Sequence, residues 1–261
     1  MVTISERSRT GNADAAARIA VVVDRLDEVI DWAIAEGSRI GYFAAVYRRV
    51  TETIRQDVLD GQFADGARMA ELDVAFAGRF FDALDRWWAG ESPTLAWAAA
   101  FEAAGRSDLA ILQQLLVGIN AHIRLDLGVA AASVTAGIEL AELRIDFASI
   151  NHVLADLVPR DRLELEQVSP RMHDIDLSSR VEDRVIDELI RLARADAWRC
   201  AEQLHHAGAA DLEATVTAID HDVARHAARL LHPDAFVRLG LNHLVTPHDD
   251  KSVAEVIRAL R

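Results

Sequence analysis

The chain is predicted to be all-α, on three observations. Apolar residues recur at helical spacing almost throughout, β-rich alternation bounded by tight turns is nearly absent, and the five prolines all fall between the periodic segments or in a first turn. With 261 residues, no internal repeat of fixed period and no low-complexity linker, the expected architecture is a compact single-domain bundle of about eight or nine helices with an interhelical pocket. Residues 1–12 read as a mobile N-terminal tail and 13–261 as the helical domain.

In chain order, the spacing predicts helices over 13–36, 40–60, 65–89, 93–104, 108–132, 139–157, 180–206, 211–231 and 252–261. Gly37, Gly61, Gly90, Gly105 and Gly208 stand where helices should stop. Ser92 before Pro93 reads as an N-cap, and Ser179 with Glu182 and Ser252 with Glu255 have capping-box spacing. Two irregular pieces remain, residues 159–179, which read as a lid or a crossover connection, and residues 234–251, which read as a surface loop.

The 42 acidic against 28 basic side chains leave a formal charge of -14. Such a balance repels nucleic acid and anionic membranes, so neither is expected as a partner. Cys200 is the only cysteine, which rules out an intramolecular disulfide or a thiolate cluster, and a cytoplasmic location is the expectation. No uninterrupted apolar run reaches the roughly 18 residues needed to span a bilayer.

The stretch 108–132, DLAILQQLLVGINAHIRLDLGVAAA, is the most informative. Asn120, His122, Arg124 and Asp126 interrupt an otherwise apolar helix. At about 100° per residue, His122 and Asp126 lie only about 40° apart around the axis, so both side chains can reach one point. Burying such groups costs several kcal/mol, of order, unless they are paired.

On the third predicted helix, Asp73 lies beside the stripe Met69, Leu72, Phe76, Phe80, Leu84 and Trp87, and Arg79 and Asp82 flank it. Asp73 is thus a candidate inward carboxylate, or the partner of a buried arginine such as Arg191 or Arg194. Asp146 and Asn151 edge the stripe of the sixth helix, while Tyr42, Tyr47 and Arg48 add hydrogen-bonding groups from the second. Such a set can line a pocket between helices. Trp32, Trp87, Trp88, Trp97 and Trp198 read as core or groove filler, with an aromatic pocket that shields a cationic intermediate as the alternative. Glu202-x-x-His205 lacks the second pair that a di-iron bundle needs, and Asp220, His221 and Asp222 read as a solvated face with His226 and His232 on it. There is no aspartate-rich DDxxD string, glycine-rich phosphate loop, Gly-x-Ser-x-Gly elbow or HExxH helix.

IGYFAAVYRRVT, MAELDVAFAGRFFDALDRW, LQQLLVGINAHIRLDLGVAAA, DFASIN and IRLARADAWR together resemble a bacterial all-helical family catalogued only as a domain of unknown function, whose central helix commonly reads like LLLGMNAHINLDLG. The resemblance covers roughly residues 40 to 200. It implies that Asn120, His122 and Asp126 match the family's Asn-Ala-His-x-x-Leu-Asp-Leu motif, and that Arg124 replaces the usual Asn. The family supplies no activity.

Three readings of the cluster stay open. His122 and Asp126 are the catalytic pair of an acid–base enzyme acting on a small, largely apolar molecule by cyclisation, elimination or isomerisation, with Asn120, Arg124, Asp73, Asp146, Asn151, Tyr42 and Tyr47 binding substrate and no cofactor required. Alternatively His122, Asp126 and Asp73 hold a divalent metal for hydrolysis. In the third, the groups satisfy one another or bind a ligand without chemistry. A small-molecule ligand is the expected partner in each case, and no oligomeric state is implied.

Overall fold

Helical periodicity and local end signals carry over into three dimensions almost element by element. The computed structural model describes residues 4–150, 153, 179–208, 210–232 and 251–261. They form α1 (Ile4–Glu36), α2 (Ile40–Leu59), α3 (Gly66–Trp88), α4 (Leu95–Ala104), α5 (Ile111–Ala121), a π-helical segment (His122–Leu127), α6 (Gly128–Val134), a 3-10 turn (Leu140–Leu143), α7 (144–150), α8 (Ser179–His206), α9 (Leu212–Leu230) and α10 (Val253–Leu260). Counting α5, the π segment and α6 as one rod gives nine helices, and no strand occurs among the described residues. The irregular stretches 159–178 and 234–250, with Asn151 and His152, lie outside the described residues.

Several boundaries differ from expectation: α4 begins at Leu95 rather than 93, and the central helix runs from Ile111 to Val134 rather than over 108–132. The first helix starts at Ile4 rather than Ala13, so residues 4–12 extend α1, and Asn12 packs where α2 turns into α3, against Gly61 and Gly66. The sixth helix opens with a 3-10 turn. Local stop signals act as read at Gly37, Gly61 and Gly90, whose φ values of 63°, 69° and 73° favour glycine. The Ser252–Glu255 capping box forms, with Glu255 Oε2 accepting from the Ser252 amide at 2.8 Å.

Ser92 does not cap α4. The amides of Leu95 and Ala96 instead donate to Asp220 of α9, at 2.7 and 2.9 Å. Asp220 is therefore buried, where a solvated face was expected, because a carboxylate at a helix N-terminus satisfies amides that have no partner inside the helix.

The rod Ile111–Val134 is the axis of the molecule, touching α2, α3, α4, α8 and α9. By length and composition alone it could cross a membrane, although Arg124 and Asp126 interrupt it and most of it is buried inside the protein. Close approach is secured by glycine at two places. A Cβ on Gly118 would meet the Phe43 ring at 2.9 Å, and one on Gly128 would meet Cys200 Sγ at 2.5 Å and the Ala197 carbonyl at 2.7 Å. These contacts bring α2 and α8 onto the axis and fix what surrounds its polar centre.

Candidate functional site

The π segment coincides with the unusual part of the sequence. His122 through Leu127 take the wider i→i+5 winding, which appears mostly as short bulges and often at functional positions. Both His122 and Asp126 are almost fully enclosed, with side chains 4% and 1% exposed. His122 Nδ1 faces Asp126 Oδ2 at 3.4 Å, as the i,i+4 spacing anticipates.

Asp126 is the anchor. Its Oδ1 accepts from Arg79 Nε at 2.8 Å, and its Oδ2 accepts from the indole N–H of Trp97 at 2.7 Å. A buried carboxylate needs such donors, and α3 and α4 supply one each. Neither partner was identified from sequence. In the sequence Arg79 only flanks the apolar stripe of α3, and Trp97 reads as filler or as one wall of an aromatic pocket; an arginine at a stripe's edge is the signal that points here.

Aromatic rings enclose the imidazole. Phe76 stacks on it, with centroids 3.6 Å apart and planes 11° from parallel, and Tyr47 meets it edge-on at 4.3 Å. Phe43, Trp97 and Phe80 complete the surround at 5.4, 5.9 and 6.4 Å. His122 Nε2 has no hydrogen-bond partner among the described residues. Desolvation holds the imidazole below its usual pKa, outweighing the opposing pull of Asp126, so the ring is neutral at pH 7. The Asp126 carboxylate favours the tautomer with the proton on Nδ1, which leaves a lone pair on Nε2.

Asp73, on α3, lies close enough to Tyr47 for its charge to act on the phenol. It is buried, its Oδ2 is unpartnered among the described residues, and burial pushes its pKa up to about 7. Among the described residues, burial is the one cause of its shift; of the arginines the sequence offered as partners, Arg191 pairs with Glu188, and Arg194 donates to the Phe147 carbonyl while lying 4.4 Å over the Phe147 ring. Tyr47 links the two groups. Its ring packs on His122, and its phenol is kept protonated first by burial and then by the charge of Asp73.

The remaining expected residues lie elsewhere. Both oxygens of Asp146 are taken by the amides of Ala64 and Asp65, at 2.7 and 2.9 Å, where they fix the entry to α3. Tyr42 is buried in the core on α2, and Arg48 pairs with Asp27. Asn120 donates from Nδ2 to the Val223 carbonyl at 3.0 Å, and Arg124 pairs with Asp196 of α8. Asn120 and Arg124 line a cleft of about 130 Å³ between the central rod, α8 and α9, to which His122 does not contribute. A smaller cavity of about 20 Å³ is bordered by Phe43, Phe80 and Trp97, three rings of the His122 enclosure, and reaches Arg39. Among the described residues, no three His, Cys, Asp or Glu side chains converge closely enough to hold a metal ion.

Residues 19–233 match a family model described as "Family of unknown function (DUF5995)". Comparison with curated proteins and with solved structures gives no match.

Proposed function

The chain belongs to DUF5995, a family of unknown function, and within it we propose a small-molecule enzyme that performs acid–base chemistry at His122. The observation that carries this reading is the unpaired Nε2 of a neutral imidazole, enclosed by aromatic rings and backed by a fixed carboxylate on Nδ1. A purely structural histidine at this depth would be expected to use both nitrogens.

In the proposed reaction, His122 Nε2 removes a proton from a small, largely apolar substrate. The resulting imidazolium is stabilised by Asp126, itself held by Arg79 and Trp97. Asp73, kept partly protonated near neutrality, returns a proton at a second position or to a leaving group. Removal and return at different atoms is an isomerisation; return to a leaving oxygen is an elimination. The 20 Å³ cavity holds about one water, so substrate enters by displacing the rings around it. The three-group arrangement needs no metal, and no metal-ligand set among the described residues supports the hydrolase alternative.

The test is untargeted mass spectrometry of bacterial small-molecule extracts incubated with the wild-type protein and with His122→Phe, which preserves ring packing against Phe76. The expected result is a conversion that conserves mass, or loses water, with wild type alone, while both proteins melt within a few degrees of each other. Identical extracts after both incubations would remove the enzyme reading and leave a binding module.

A further inference from the structure

The cleft on the far side of the central rod is chemically unlike the His122 enclosure. Its walls are apolar, from Leu116 on α5, Ile190 and Ala193 on α8, and Leu230 on α9. At about 130 Å³ it approaches the volume of an engineered apolar cavity that binds benzene, so it accommodates roughly six carbon atoms. Its polar lining is Asn120, Arg124, His226 and Arg229.

Positive charge gathers there against the balance of the whole chain. Asp196 serves both Arg124 and Arg199, and Asp222 serves Arg225. Arg229 has no carboxylate partner among the described residues. Two guanidiniums, Arg124 and Arg229, thus line the cleft with no carboxylate in its lining, in a protein whose formal charge is -14. The His226 imidazole registers the same excess, since its pKa is lowered first by burial and then by Arg124 and Arg229. An independent feature marks the inner end: Asn120 is 4% exposed, and its Oδ1 is an acceptor with no donor among the described residues.

We infer that this cleft binds a small organic carboxylate, with an apolar body of about six carbons between α5, α8 and α9 and its carboxylate on Arg229 and Arg124. A hydroxyl on the apolar body would donate to Asn120 Oδ1. Arg229 is exposed and free to turn onto the ligand, whereas Arg124 is already oriented by Asp196. The site stands apart from the proposed chemistry, because none of its lining residues is among the rings that enclose His122 and neither His122, Asp126 nor Asp73 lines it.

Phenylacetate is a suitable probe, with benzyl alcohol and phenethylammonium as its uncharged and cationic counterparts. Binding is followed by ligand-observed NMR on the full chain. The expected result is one saturable site for phenylacetate, benzyl alcohol at least about tenfold weaker, and no binding of the ammonium compound. Arg229→Gln should weaken phenylacetate by roughly tenfold or more, the usual range for one charge-assisted contact, and leave benzyl alcohol unchanged. Ala193→Trp should fill the cleft and abolish both. Equal phenylacetate affinity in wild type and Arg229→Gln, full displacement of phenylacetate by inorganic phosphate, or no saturable binding to the wild type would each overturn the inference. His122→Phe should bind phenylacetate like wild type, so this outcome is separable from that of the catalytic reading.

Discussion

Asp73 gives the sharpest test of the interior cluster, because its cost is set by a single physical cause. Burial alone raises its pKa from the ordinary 3.8 to about 7. At about 1.4 kcal/mol per unit, the full shift is worth about 4 kcal/mol. Since the folded state holds the proton more tightly, stability is highest below pH 3.8 and falls as pH rises toward 7, levelling off above it. Asp73→Asn keeps the shape and removes the titration. Its advantage over wild type should therefore grow by about 2.5 kcal/mol between pH 5 and pH 8. His122 titrates in both proteins, so its contribution largely cancels in the difference. Urea denaturation of the two proteins at pH 5, 6.5 and 8 measures this directly. A difference that is flat with pH, or an Asn variant that loses ground as pH rises, would show that Asp73 has a cationic or donor partner and refute the reasoning. A residue kept at such a cost to stability is the kind expected where function takes priority over packing.

Three further outcomes follow from the same geometry. Once a substrate is in hand, rate against pH should be bell-shaped, with the rising limb below 6.5 as His122 loses its proton and the falling limb near 7 as Asp73 does; a single sigmoid would remove Asp73 from the chemistry. Asp126→Ala strands Arg79 and the Trp97 N–H, so it should lower stability by about 3–5 kcal/mol in chemical denaturation, and a loss under about 1 kcal/mol would mean that the network is not what holds the π segment. Gly128→Ala puts a Cβ 2.6 Å from Cys200 Cβ and 2.7 Å from the Ala197 carbonyl, and should cost about 3 kcal/mol; a second change, Cys200→Ala, should not restore it, and full rescue would show that the Cys200 sulfur alone blocks the site.

The helices were legible because their signals are local. Apolar spacing, a glycine at positive φ and a Ser–Glu capping box each act within a turn or two, so α2, α3, α8, α9 and α10 begin and end within a residue or so of expectation. The His122–Asp126 contact was legible for the same reason, since four residues on one helix fix it. The other members of the site are set by chain crossings. Arg79 and Trp97 reach Asp126 from 47 and 29 residues away, and Asp220 caps α4 across 125 residues.

The sequence by itself determined an all-α chain, most of its helix limits and a polar centre on the long apolar helix, because helix periodicity and capping are properties of neighbouring residues. Only the tertiary structure decided which polar groups meet. It sent Asp146 to the start of α3, set Asn120 and Arg124 on a separate charged cleft, and left His122 among aromatic rings and Asp73 buried, each with an unpaired atom among the described residues. The reason is that a carboxylate or imidazole reads the same in any sequence. Its partner and its proton are fixed by the neighbours that packing brings within hydrogen-bond distance and by the water that packing removes.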